Sequence, residues 1–197
     1  MLDQALRAAG AIARAGVWAS GALFFAAAVV IAVDVTARKA FALSIGGSDE
    51  LSGYCLAMGA AWSYAFALLH RANIRVDALY KYFPRPAKAA LDVVALVALA
   101  CFVAVVGYYA FEVLAASVRF GSRANTPLQT PLWIPQAIWL AGLAFFLLAL
   151  FLVTLKALLL FAEKDYAALD RLAGLPSASE EVEEELAGVK TRMAKAP

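Results

Sequence analysis

The sequence predicts an all-α integral membrane protein. It has four transmembrane helices with both termini cytoplasmic, an amphipathic N-terminal helix and a helical cytoplasmic C-terminal tail. Three observations carry that prediction. Hydrophobic residues make up 64% of the chain and charged residues 16%, with a mean hydropathy of +0.77, whereas a soluble domain is nearer half apolar and a quarter charged. Four long stretches carry no Asp, Glu, Lys or Arg. The basic residues between those stretches are distributed very unevenly.

Residues 1–14 open the chain as an expected interfacial helix. Leu2, Leu6, Ala9 and Ile12 recur on one helical face, with Asp3, Arg7 and Arg14 elsewhere, a pattern suited to lying in a headgroup layer. Ala15–Val33 is the first apolar stretch. It is longer than the ~7–15 residues of a secretory signal core and ends in Asp34 and Arg38-Lys39 rather than a small-residue cleavage site. It reads as a retained anchor.

Leu51–Leu69, Val93–Phe111 and Ala137–Leu155 are the other three spans. Each is close to the roughly 20 residues that cross a ~30 Å hydrocarbon core as helix. Helix is required because lipid offers no partner to a free backbone amide or carbonyl. Residues 15–162 therefore form the membrane domain and 163–197 a tail with a short helix. Ser177 and Glu180 stand at capping-box spacing, and Val182, Leu186, Val189 and Met193 follow at helical intervals. The tail's acids precede its bases, which suits a helix dipole. Pro176 marks a hinge before them.

Charge sets the expected orientation. Arg7 and Arg14 precede span one; Arg71, Arg75, Lys81, Arg85 and Lys88 lie between spans two and three; six more basic residues follow span four. Those three segments share one side of a four-span protein and hold 13 of the 17 Lys and Arg. Positive residues stay on the cytoplasmic side, so that side is predicted to be cytoplasmic. Tyr80, Tyr82 and Phe83, with Trp18, Trp133 and Trp139, are expected in the aromatic belts at headgroup level.

Catalytic chemistry is sparse. His70 is the single histidine, which excludes a haem subunit with two axial histidines. No metal-ligand cluster, phosphate-binding glycine loop or activated nucleophile is legible, and a net charge of +2 argues against nucleic acid as a partner. No enzyme activity and no cofactor are expected. Cys55 and Cys101 lie at depths differing by roughly 8–10 Å along their helices, too far for a disulfide.

The residues that stand out are packing and rim residues. Gly53, Ala57, Ala61 and Ala65 recur every four residues in span two, a small-residue strip of the kind that lets helices approach closely in lipid. Asp34 and Arg38 are four apart and expected to pair; Glu112 and Arg119 are expected to form a second structural ion pair. Trp62 and Tyr64 sit mid-span, where a polar tip requires a protein partner.

The ordered set of polar segments resembles the small membrane subunit (DctQ type) of tripartite ATP-independent periplasmic (TRAP) transporters. The resemblance rests on "DVTARKAF" leaving span one, "SDEL" opening span two with Asp49-Glu50, and "HRANIRVDALYKYFP" after span two. In the last segment Arg71, Asn73, Ile74, Val76, Asp77 and Pro84 fall on the family pattern, with Asn73 where the family often has His. "NTPLQTPLWIPQAIW" resembles the family's approach to span four, with Pro135 in the expected place.

That resemblance implies a multi-pass subunit of the bacterial inner membrane, partnered by a large multi-span transport subunit and a periplasmic substrate-binding protein. It implies a secondary importer of organic acids whose sodium and substrate sites lie in the large subunit. This chain is then a scaffold that helps dock the binding protein. Arg38, Lys39, Asp49, Glu50, Arg119 and Arg123 are the charges it presents outside and are the expected docking residues. The alternative is a small four-span proton-coupled exporter working as a dimer through a membrane carboxylate.

The orientation is open to a direct test. A single cysteine at Ala78 should resist an impermeant thiol reagent in intact cells, while one at Ala124 should react. Labelling at Ala78 from outside would reverse the assignment.

Overall fold

The computed structural model describes residues 1–44, 46–72, 80–174 and Leu186, and the backbone alone of Lys81. Four helices are long and apolar enough to cross a membrane: α1 (Leu2–Phe41), α2 (Ser48–Leu69), α3 (Arg85–Phe120) and α4 (Trp133–Ala162). A short 3₁₀ turn, Tyr80–Tyr82, precedes α3, and α5 (Tyr166–Ala173) follows α4. The all-α, four-span expectation holds.

The N-terminal segment before span one differs from expectation in one respect. It continues into the span without a break, so α1 is a single helix of 40 residues, about 60 Å at 1.5 Å per residue. The physical reason is local. The segment is alanine-rich and holds isolated glycines but no proline, so nothing in it stops or kinks a helix. α3, at 36 residues, likewise extends beyond one hydrocarbon thickness.

Termination signals are clear where the chain does turn. α1 ends at Ala42 in the left-handed conformation, with its N–H and that of Leu43 returning to the carbonyls of Arg38 and Ala37. Gly47 caps α2 with φ of 113°, and a Cβ there would lie 2.5 Å from Leu128, so only glycine fits. Pro84 and Pro86 open α3 and Gly121 closes it, the expected asymmetry of helix ends. Asp165 caps α5 by accepting from the Ala168 N–H at 3.0 Å. The tail helix expected from Ser177 lies outside the described residues.

The helices pack in the order α1, α2, α4, α3, with α5 resting against the ends of α4 and α3. α4 is the central element, buried through Gly142, Phe146, Ala149, Val153 and Ala157. α3 is an edge helix. Apart from Asp92, its buried residues Ala89, Leu96, Val103, Ala110 and Ser117 recur every seven residues, the seam of a helix whose main neighbour is α4. α1 contributes a small-residue seam, Ala9, Ala13, Gly16 and Ser20, that lets α2 approach closely.

A close contact joins α2 to α4. A Cβ on Gly142 would lie 2.9 Å from Trp62 Cδ1, 3.0 Å from Ala61 Cβ and 3.1 Å from the Ala61 carbonyl carbon. Across that gap Trp62 Nε1 donates to the Ile138 carbonyl at 3.1 Å, and its ring stacks on Phe145 with centroids 5.9 Å apart. The mid-span tryptophan thus meets its requirement inside the bundle. Because α2 and α3 both lie on α4, an apolar cleft of about 550 Å³ opens between them, lined by Tyr64, Leu68, Leu96, Phe102, Val103 and Phe146.

Hydroxyls within the spans answer to their own helices. Ser20, Thr36, Ser63 and Thr154 each donate to the carbonyl four residues back at 2.7–2.8 Å, which removes the cost of a free donor in lipid.

The packing makes a differential prediction. Ala61 is fully buried and Ala57 is exposed. Ala61→Leu or Gly142→Leu should destabilise the subunit by about 1–3 kcal/mol through overpacking, seen as a lower thermal transition in detergent. Ala57→Leu should leave that transition in place. Equal effects at positions 57 and 61 would contradict the packing.

Candidate functional site

The polar side chains gather at the two ends of the bundle. At the end opposite the N-terminus, Asp34 is the centre of the first cluster. It is fully buried. Arg38, one turn on, donates to it and forms the expected ion pair. Ser48, at the first position of α2, donates at 2.9 Å and Ser44 at 3.2 Å. One carboxylate therefore holds the end of α1, the connecting turn and the start of α2 together.

Glu50 anchors the second cluster. Tyr54 donates to it at 2.8 Å, and the Thr126 hydroxyl donates from the α3–α4 connection. That connection is itself ordered by an antiparallel bridge between Arg123 and Pro131, with the Leu132 N–H on the Ser122 carbonyl at 3.0 Å. Glu50 thus ties α2 to the far loop, while its neighbour Asp49 is exposed.

The other expected rim charges are placed as follows. Lys39 and Arg119 are exposed. The Arg119 guanidinium lies 5.6 Å from the Phe120 ring centroid, and Arg123 Nη1 donates weakly to the Gln129 carbonyl at 3.4 Å. The expected Glu112–Arg119 pair does not form. The two residues are two turns apart on an unbroken helix, about 10.5 Å along its axis. Glu112 is instead exposed on the edge helix.

The small-residue strip divides. Ala61 and Ala65 are fully buried; Gly53 and Ala57 are exposed, with nothing within 4 Å of a Cβ at Gly53. Alanine content hid a second strip in α1, although its spacing of four, three and four residues is legible in the sequence.

At the end that carries the N-terminus, Asp92 is a residue that sequence reasoning passed over. It is 3% exposed and accepts from the Tyr80 hydroxyl at 2.7 Å. Lys88 Nζ lies 5.2 Å from the Tyr80 ring centroid. Tyr80 is therefore a partly buried link between the 3₁₀ turn and α3 rather than a belt residue. Trp139 also packs into the bundle, beside Ala61 and Leu143, whereas Trp18 and Tyr82 are exposed as expected. The signal for Asp92 was a carboxylate one residue before an apolar run.

Of the segment after span two, Arg71 reaches the Asp170 carbonyl at 3.4 Å and Pro84 caps α3. Asn73, Ile74, Val76 and Asp77 lie outside the described residues. Cys55 and Cys101 are both free. No cluster of His, Cys, Asp and Glu that could hold a metal occurs among the described residues. These clusters lock helix ends; they hold no reactive group beside a substrate-sized polar site.

The Asp34 cluster predicts a measurable cost. Asp34→Ala leaves the buried Ser48 hydroxyl without this acceptor, whereas Arg38, half exposed, can turn to water. The expected loss is about 1–3 kcal/mol, read as a lower thermal transition and faster proteolysis near residue 43. Asp34→Asn, which keeps an acceptor, should lose less, and Lys39→Ala almost nothing. An unchanged Asp34→Ala transition would remove the cluster from the fold's stability.

Comparison with known proteins gives one match. The family model for tripartite ATP-independent periplasmic transporters, DctQ component, matches residues 10–160. No curated protein and no solved structure matches. The matched residues run from α1 to the end of α4 and leave α5 and the tail outside.

Proposed function

The chain belongs to the DctQ component family of tripartite ATP-independent periplasmic transporters, and from that premise we propose that it is the scaffold subunit of a secondary importer of organic acids. In this reading it packs against the large transport subunit in the bacterial inner membrane, with its termini cytoplasmic. Its opposite end helps receive the periplasmic substrate-binding protein. Substrate and sodium are carried by the large subunit.

The observation that carries the reading is the continuity of the described spans. No described span is broken at mid-membrane, the feature that builds ion and substrate sites in secondary transporters. The four apolar stretches carry no charge. Glu112 is exposed near the end of an edge helix rather than deep in the bundle, which argues against the exporter alternative. Much apolar surface remains available to a partner: Phe102, Tyr108, Tyr109 and Phe111 are more than half exposed on α3, and Gly53 and Ala57 offer close approach on α2.

Docking falls to the exposed rim charges, Lys39, Asp49, Arg119 and Arg123. Arg38 and Glu50 serve it indirectly, by fixing the loops that present the rest. Charges at such a rim act on encounter rate and salt dependence, each worth about 0–1 kcal/mol.

The test is uptake into proteoliposomes titrated with purified binding protein. Arg119→Gln with Arg123→Gln should raise the concentration needed for half-maximal uptake and flatten its dependence on ionic strength, with the complex still assembled. Neutralisation is preferable to reversal, because a glutamate in the last turn of α3 would oppose the helix dipole. Arg85→Gln with Arg171→Gln, at the other end, should leave the titration unchanged. In the same complexes Ala57→Leu should lower co-elution of the large subunit. Identical titrations and full co-elution throughout would overturn both roles.

A further inference from the structure

A second feature lies at the end that carries the N-terminus and is independent of transport. The first turns of α1, the end of α2, the end of α4 and α5 enclose a cleft of about 820 Å³. That volume falls within the ~300–1,000 Å³ range of small-molecule sites. Arg7, Arg14, His70 and Lys156 line it, and Asp3 is the acid that lines it with them.

The charges do not balance. Lys156 is answered by Asp3 across α4 and α1. Neither Arg7 nor Arg14 has an ion-pair partner among the described residues. They are seven apart, two turns or about 10.5 Å along one face of α1. Between them the wall is formed by Gly10 and Ala11, with nothing within 4 Å of a Cβ at Gly10. Two guanidinium groups thus flank a smooth, low strip of helix. His70 closes another side, its Nδ1 3.0 Å from the Phe66 carbonyl and its ring stacked on Phe66 at 3.8 Å.

The remaining walls are apolar. Leu6, Leu69 and Leu172 line the cleft from three different elements. A soluble anion has no use for such walls. An amphiphile with a phosphodiester at one end and acyl chains at the other does.

We propose that this cleft binds the headgroup of an anionic phospholipid. The phosphodiester is held by Arg7 and Arg14, whose planar, five-donor guanidinium groups suit phosphate oxygens. The upper acyl carbons lie against Leu6, Leu69 and Leu172. The cleft sits where a headgroup would be, because Ala15–Val33, Leu51–Leu69 and Ala137–Leu155 place the hydrocarbon core just beyond it. A basic pocket between membrane helices at that depth is the physical form of a lipid headgroup site. The bound lipid fastens the first turns of α1 to the ends of α2, α4 and α5.

The test is native mass spectrometry of the full chain in a neutral detergent, titrated with phosphatidylglycerol or with phosphatidylcholine of the same chains. The wild type should bind phosphatidylglycerol about five- to tenfold more tightly. Arg7→Gln with Arg14→Gln should abolish that preference, and Arg119→Gln with Arg123→Gln, at the opposite end, should retain it. Gly10→Leu fills the strip without changing charge. Leucine favours helix over glycine and meets open space there, so this variant folds, and it should lose at least fivefold in phosphatidylglycerol affinity. A thermal transition for each variant verifies its fold. Three results would overturn the proposal: a preference that survives the double arginine variant, a Gly10→Leu titration equal to wild type, or competition by glycerol 3-phosphate at concentrations matching the lipid. The first removes the arginines, the second reduces the site to diffuse surface attraction, and the third makes the ligand soluble.

Discussion

The close approach of α2 to α4 is the contact on which the other helices depend. Two apolar helices gain no hydrophobic advantage from meeting in lipid, because lipid is as apolar as their side chains. What remains is dispersion, and dispersion falls off steeply with distance. Gly142 facing Ala61 brings the two backbones together, and Trp62 uses the space to reach the Ile138 carbonyl. α1 then packs against α2, and α3 packs against α4, meeting α2 across the apolar cleft. α3 has α4 as its main neighbour, which is why it keeps so much apolar surface exposed.

Polar groups follow a second rule, set by depth. In the middle of the spans the hydroxyls of Ser20, Ser63 and Thr154 bond their own helix, and the Trp62 N–H reaches the neighbouring one. At the ends, where water and loops supply partners, carboxylates appear: Asp34 and Glu50 at one end, Asp92 at the other. Each joins two different elements. Asp34 joins α1 to α2, Glu50 joins α2 to the α3–α4 connection, and Asp92 joins α3 to the 3₁₀ turn before it. The four apolar stretches themselves carry no Asp, Glu, Lys or Arg.

The four spans were legible because hydrophobicity along a continuous run is a one-dimensional property. The Asp34–Arg38 pair was legible because four residues of helix fix the distance between its members. The Glu112–Arg119 pair was misjudged for the same geometric reason, since seven residues of straight helix hold side chains two turns apart. The strip in α2 was legible as a spacing but not as a contact. Ala61 and Ala65 turn toward α4 and the core while Gly53 and Ala57 do not, and a repeat of four drifts around a helix of 3.6 residues per turn. Glu50 looked like a free rim charge because nothing in its neighbourhood names Thr126, which lies 76 residues away.

By itself, then, the sequence determined what local physics can decide: four helices of membrane length, their caps and turns, and the uneven charge on which the expected orientation rests. Only the tertiary structure decided which helices are neighbours. It made α4 central and α3 an edge, and converted Glu50 and Asp92 from boundary charges into internal links. It also brought Arg7, Arg14 and Lys156 around one cleft. The division has a physical cause. Helix formation in lipid is enforced residue by residue through backbone hydrogen bonds, and any sufficiently apolar run satisfies it. Helix pairing depends on where small side chains, a tryptophan and a few carboxylates from distant parts of the chain coincide, and that information exists only once the helices meet.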